Sequence, residues 1–303
     1  MSAKILLSTL LLAMTLSACA PKEAPAVDIE AQQQGRVEIA AQCKGRDGWS
    51  DAAPPAHVFG NVYMVGTCGI VSLLITSDIG HILIDGATEE AAPLIAENIR
   101  KLGFEPTDVR YLLSSHEHMD HVGGLAALKK LTGAQMLARA PAKPSLESGS
   151  YDKTDPQLGI LPPFPALKVE RVVKDGEVVK LGPLSLTVVA TPGHSPGGTS
   201  WSWQSCEGAT CHSFVYADSL GSVSSDNYRF TDHPEYVAVF RATIERVAKL
   251  PACDILIAPH PSQSQFFERL SGAAPLVNNK GCANYAAAAR DRLNARLAKE
   301  AAQ

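Results

Sequence analysis

Short apolar runs, many alternating with polar residues, recur along most of the chain and are separated by turn residues. Residues 58–65 alternate as a strand, residues 70–76 follow as a second, and His81–Ile84 forms a third ending at Asp85-Gly86. Thr88 then predicts a helix start running through Leu102, with Glu89 and Glu90 in the first turn where the helix dipole favours anions. Val109–Leu113 reads as a buried strand, 121–131 as a helix and 135–138 as a strand. In the second half, 167–173, 177–181 and 184–190 read as strands, with turns at Asp175-Gly176 and Gly182-Pro183. Residues 199–203 and 213–216 frame a hairpin, 234–250 is helical, 254–258 is a buried strand and 284–301 is a C-terminal helix. Two strand-rich halves, each with its own helices, predict two sheets packed face to face with helices outside.

Two stretches break this rhythm. Residues 20–35 are rich in Ala, Pro and Gln and lack apolar periodicity, which reads as a flexible tether reaching residue 41. Residues 141–166 carry six prolines and match no element, so they read as a lid or binding wall.

Composition adds three constraints. A 303-residue chain with 46% hydrophobic and 19% charged residues can bury a large core in one domain over 42–303. A net charge of −4 with no basic run excludes a nucleic-acid partner. The first residues have a leader's form: Lys4, an apolar stretch over 5–16 too short for a stable membrane span, then small residues. Leu16-Ser17-Ala18-Cys19 resembles a lipobox, which would remove 1–18 and lipidate Cys19; cleavage after Ala20 is the alternative. The expected location is therefore the periplasm, at a membrane surface where Cys19 is lipidated. With Cys19 processed, six cysteines remain, and an even set in an exported protein points to disulfides. Spacing suggests a local Cys206–Cys211 bridge and leaves the other pairings open.

The strongest chemical signal is Ser115-His116-Glu117-His118-Met119-Asp120-His121, directly after a predicted buried strand. Imidazole and carboxylate at this density suit zinc, which takes three or four such ligands. One turn cannot enclose an ion, so distant ligands are required. His194, in Thr191-Pro192-Gly193-His194, and His260, in Pro259-His260-Pro261, also follow strands. A zincin reading of Glu117 fails because the position four after His116 is Asp120. His57, His81, His212 and His233 are scattered and read as structural or surface residues.

The His116-x-His118-x-Asp120-His121 motif with His194 and His260 resembles the metallo-β-lactamase superfamily over roughly 42–300. Gly66-Thr67-Cys68-Gly69, Thr191-Pro192-Gly193-His194 and Tyr216-Ala217-Asp218-Ser219-Leu220 resemble its subclass B3. The resemblance implies a four-layer αββα sandwich of the α/β class and two Zn²⁺ per chain. His116, His118 and His194 would hold one ion, and Asp120, His121 and His260 the other. It implies opening of the β-lactam ring by a hydroxide shared between the ions, hence antibiotic resistance, with Asp120 also orienting the nucleophile. It further implies the pairs Cys43–Cys68, Cys206–Cys211 and Cys253–Cys282, and a monomer whose partner is a small-molecule β-lactam.

The same superfamily holds thioesterases of the glyoxalase II type and lactonases, in which an aspartate bridges both metals. Here the aspartate would be Asp218; in B3 enzymes Ser219 takes the place. A one-residue register separates these readings, because successive strand residues face opposite sides. One position departs from the B3 pattern: Gly221 stands where a second hydroxyl is common, so carboxylate anchoring falls to Ser219, Ser222 or Gln157. Tyr228 is a candidate oxyanion donor, and Trp49, Met119 and the 141–166 loop are candidate walls of the cleft.

Overall fold

A computed structural model describes residues 29–302. The leader, Cys19 and the first part of the expected tether lie outside the described residues. The remainder of that tether is ordered: α1 (Ile29–Gln42) is a helix. It has almost no helical amphipathicity, which is why periodicity overlooks it. Ile39 is nonetheless fully buried, and Cys43, just beyond the helix, is bridged to Cys68.

The first half then runs β1 (Ala56–Phe59), β2 (Val62–Met64), β3 (Leu73–Ile75), β4 (His81–Ile84), α2 (Ala92–Lys101), β5 (Val109–Leu113), α3 (Met119–Val122), α4 (Leu125–Thr132), β6 (Gln135–Arg139), α5 (Lys143–Ser148) and β7 (Arg171–Val173). The second half runs β8 (Val178–Leu181), β9 (Leu184–Ala190), β10 (Thr199–Glu207), β11 (Thr210–Tyr216), α6 (Pro234–Ala248), β12 (Ile255–Ile257), α7 (Phe266–Leu270) and α8 (Gly281–Ala301). Among the described residues the strands form a seven-stranded sheet, in order β1 to β7, and a five-stranded sheet in order β12-β11-β10-β9-β8.

Strand alternation assigns each side chain to a layer. Ile82 and Ile84 of β4 enter the core between the sheets, whereas Leu83 faces the helices. Phe214 and Tyr216 of β11 likewise point between the sheets, while Val215 joins the cluster under α6 and α8. The inter-sheet core also takes Trp201, Trp203, Ile255 and Ile257. The outer face of the first sheet packs on Ile95 and Ile99 of α2 and on Leu125 and Leu128 of α4. The outer face of the second packs on Phe240 and Ile244 of α6 and on Leu293 of α8. The result is the expected αββα sandwich.

Several element boundaries differ from the sequence reading. Residues 58–65 are not one strand but two, because Gly60-Asn61 turns the chain and β1 pairs antiparallel with β2. The helix expected over 121–131 is two, α3 and α4, with Gly123-Gly124 between them. A side chain at Gly124 would strike the Gly86 carbonyl at 2.2 Å, so backbone proximity rather than helix propensity sets that break. Thr88 makes no side-chain cap; its hydroxyl bonds Ser50 Oγ at 2.6 Å, and a short 3₁₀ turn precedes α2. Part of 141–166 is helical, as α5, and of 167–173 only 171–173 is strand.

The six cysteines form Cys43–Cys68, Cys206–Cys211 and Cys253–Cys282, the pairs implied by the resemblance. Among the described residues, no helix is long and apolar enough to cross a membrane.

Candidate metal centre

Strands β4, β5 and β6 run parallel, so their carboxyl ends lie side by side. Asp85 leaves β4 with φ 61°, a left-handed conformation that costs a non-glycine residue energy. Its side chain explains why the conformation persists. Asp85 Oδ1 accepts the Ser115 N–H at 2.6 Å, and Oδ2 accepts the Ser115 hydroxyl at 2.7 Å. The Tyr216 hydroxyl, rising from the opposite sheet, reaches the same Oδ2 at 2.8 Å. The turn carrying His116 is thus fastened to both sheets.

Three further strand ends complete the centre. His194 follows β9 in a turn closed by Gly193 N–H to Ser195 O at 3.0 Å, and Gly193 has φ 146°, open to glycine. Asp218 follows β11 and His260 follows β12. Glu117, fully buried, joins two of these turns: it accepts the Ser195 hydroxyl and the Gly197 N–H, each at 2.8 Å. A Cβ at Gly197 would sit 2.4 Å from that carboxylate, so only glycine allows this approach.

The side chains meet in two groups. His116, His118 and His194 form one and His116, Asp120 and His121 the other, with donor atoms in each group within 4.8 Å of one another. His260 stands beside the second group, its Nε2 3.5 Å from Asp120 Oδ2. The His121 Nε2 lies 3.1 Å from the same oxygen but makes no hydrogen bond. Ligand bonds of about 2.0 Å in a tetrahedral shell set donors about 3.3 Å apart, and these two distances bracket that value.

Each ring keeps one nitrogen for this space and has the other engaged. His116 Nδ1 donates to Asp218 Oδ1 at 2.9 Å, His121 Nδ1 to Asp85 Oδ2 at 3.1 Å, and His194 Nδ1 to the Gly221 carbonyl at 2.8 Å. His118 is reversed: its Nε2 faces Asp155 Oδ2 at 2.9 Å. The inward His116 Nε2 and His121 Nε2 are buried with no hydrogen-bond partner. A buried polar atom without a partner costs about 1–3 kcal/mol, so two converging ones fit a cation that the chain is built to receive.

Electrostatics agree. Burial, reinforced by the His118 ring, lowers His194 to about 3; burial and His121 lower His260 to about 4. Both rings are neutral at pH 7. Burial also opposes charge on His121, but Asp120 and Asp85 outweigh it and hold that ring up to about 10. Burial works against ionisation of Asp120 as well, yet the His121 ring keeps it well below the usual carboxylate range.

The register question has a geometric answer. Asp218 bonds the rear nitrogen of His116, on the far side of the ring from the inward Nε2, and so does not stand between the groups. Ser219 is buried, and its hydroxyl has no partner. Ser222 is half-buried and Val223 exposed. At Gly221 a Cβ would meet nothing closer than 3.6 Å, so the missing hydroxyl is not forced by the backbone. The buried Gln157 amide nitrogen lies 3.4 Å from His118 Nδ1 and 3.2 Å from His194 Nε2, bridging two rings of the first group. Tyr228 stacks on His233 at 4.3 Å, and burial together with Asp155 pushes its hydroxyl up to about 12. Trp49 lines a cavity of about 780 Å³ beside His260, whereas Met119 packs against the helix-side core. His57 and His81 are buried near Tyr63 and Phe104, apart from the centre. Sequence reading weighs Asp218 as a bridging ligand and Glu117 as a zincin base, and marks Asp85 by its Asp-Gly strand ending; the supporting roles of these three, and Asp155 altogether, escape it.

The chain belongs to the metallo-β-lactamase superfamily, whose family model matches residues 65–260. Within it, the structural likeness is to enzymes of subclass B3. The metallo-β-lactamase MIM-1 from Novosphingobium pentaromativorans is 54% identical, with 88% of this chain and 98% of that one covered and a TM-score of 0.86. MEM-A1, a subclass B3 metallo-β-lactamase from a soil metagenome library, is 43% identical over 84% of this chain and 99% of its own, with a TM-score of 0.80. A hydroxyacylglutathione hydrolase of Rhodopseudomonas palustris (strain BisB5) is 33% identical over 129 residues, 40% of this chain. The chain spans about two-fifths of the length of that curated relative, 41%.

Proposed function

We propose that the protein is a di-zinc β-lactamase that opens the β-lactam ring and so confers resistance. The observation that carries this reading is the pair of buried, unpartnered nitrogens, His116 Nε2 and His121 Nε2, converging from rings whose other nitrogens are held. His116, His118 and His194 hold one ion, and Asp120, His121 and His260 the other. When bound, zinc supplies a water acidified toward a pKa of about 7 and a Lewis acid for charge developing on the lactam carbonyl oxygen. Asp120, ionised and facing both His121 and His260, orients the attacking water. Oxygen adds to the carbonyl carbon, the carbon–nitrogen bond breaks, and the nitrogen takes up a proton. Ser219, Ser222 and Gln157 anchor the substrate carboxylate, and the Tyr228 hydroxyl donates toward the carbonyl oxygen. Trp49 and the 149–166 segment wall the cleft. The protein acts as an exported monomer, with Cys19 as its lipid anchor.

The likeness to a hydroxyacylglutathione hydrolase suggests a thioester as the competing substrate. The placement of Asp218 behind His116 favours the lactam. Turnover of a chromogenic cephalosporin should exceed that of an S-acylglutathione by at least a hundredfold in kcat/KM. The reverse preference would overturn the reading.

A further inference from the structure

The rear nitrogens of three rings are held by the framework itself. Asp85 and Asp218 extend strands β4 and β11, and the Gly221 carbonyl lies in the segment following β11. His118 has no such partner. The acceptor at its Nε2 is Asp155, 2.9 Å away and 2% exposed, in the proline-rich segment that sequence reading leaves without an element. The carboxylate does not hang freely. Its Oδ1 accepts the Gln157 N–H at 2.8 Å, and the Asp155 N–H donates to Asp152 O at 3.1 Å. The next residue is tied across the site, because the Pro156 carbonyl accepts the Ser225 N–H at 2.8 Å.

A neutral imidazole carries one proton, and its hydrogen bonds decide on which nitrogen. A carboxylate can only accept, so Asp155 keeps the His118 proton on Nε2 and leaves the Nδ1 lone pair facing His116 and His194. We infer that Asp155 is a positioning residue for the first metal site, and that the 149–166 segment is a structural part of that site rather than a lid free to swing. The inference rests on the reading of His118 as a zinc ligand and goes beyond it, by naming the residue that selects the ligating tautomer.

Substitution separates this role from simple scaffolding. In Asp155→Asn the side chain has one acceptor and one donor for two donors, His118 Nε2–H and Gln157 N–H. Keeping the Gln157 bond turns the amide NH₂ toward His118, which favours the tautomer whose proton blocks Nδ1. Asp155→Ala loses both bonds, but water can fill the space and accept from Nε2. A tautomer role therefore makes Asn worse than Ala, whereas scaffolding makes Ala worse than Asn.

The test is zinc affinity by chelator competition on the full-length metal-free protein. For Asp155→Asn one of the two zinc dissociation constants should rise about 10- to 100-fold, with the other within threefold of wild type. Asp155→Ala should raise the same constant less. Wild-type affinities in Asp155→Asn, or a greater loss in Asp155→Ala, would overturn the proposal. Independently of any variant, imidazole ¹⁵N spectra of the zinc-loaded wild type should show His118 protonated at Nε2, and His116, His121 and His194 at Nδ1. A proton on His118 Nδ1 would overturn the proposal while leaving the di-zinc reading intact. A wild type that takes up no zinc would overturn the di-zinc reading, and the proposal with it.

Discussion

At the residue scale, the centre is defined by which nitrogen of each ring is already engaged. Carboxylates or a carbonyl hold the rear nitrogens of His116, His118, His121 and His194, which aims the other nitrogen of each ring inward before any ion arrives. The rings differ in what an ion must displace. His194 and His260, lowered to about 3 and about 4, are neutral rings with a single proton each at neutral pH. His121, raised to about 10 from 6.5, carries a second proton in the metal-free protein. A raised pKa means that the proton is bound below 10 and must leave as zinc binds. Zinc affinity at the Asp120–His121–His260 site should therefore fall about tenfold for each pH unit between 9 and 7. Isothermal titration at several pH values checks this; a flat profile would contradict the proton on His121. In the metal-free protein the same group stabilises the fold fully below pH 6.5, and its contribution is lost as pH rises through 10.

At the scale of elements, the turns after β5 and β9 act as one piece because Glu117 crosses between them. Asp85 fastens the first of these turns to the β4 end. Replacing Glu117 with Ala leaves the buried Gly197 N–H without an acceptor and opens a cavity. We expect a loss of about 2–4 kcal/mol in urea unfolding of the metal-free protein. Glu117→Gln should lose much less, since its oxygen accepts from Gly197 while its amide donates to a rotated Ser195 hydroxyl. Equal losses in both variants would show that the charge matters more than the bonds. Elements whose pattern is local are legible in the chain: β9 is found at its own ends, and β5 directly before the histidine turn. What escapes is set by tertiary contact. Gly60-Asn61 splits one alternating run into a hairpin, and Gly123-Gly124 splits one helix because the backbone at Gly86 stands against it. Helix α1 is missed because its sequence has no apolar face, although Ile39 is buried. The six candidate ligands are legible because each follows a strand. Asp155 and Glu117 are not, because hydrogen bonding between distant segments leaves no spacing to read.

At the scale of the molecule, the αββα sandwich brings the ends of β4, β5, β9, β11 and β12 to one rim, so six side chains spread over 145 positions of sequence meet there. The disulfides fasten the periphery of this frame. Cys43–Cys68 ties the end of α1 to the segment before β3, and Cys253–Cys282 ties α8 to the approach of β12. We propose that residues 1–18 direct export and that Cys19 carries a lipid. Replacing Cys19 with Ala should move the protein from the membrane fraction to the soluble periplasmic fraction, and unchanged partition would count against lipidation. In the proposed function, two ions held by these six residues make water the nucleophile against a lactam. The most direct measurement of this is zinc titration of chelator-stripped protein, followed by hydrolysis of a chromogenic cephalosporin. We predict no turnover without metal and recovery that levels off at about two zinc per chain. Full turnover in the stripped protein, or none at any zinc concentration, would contradict the account.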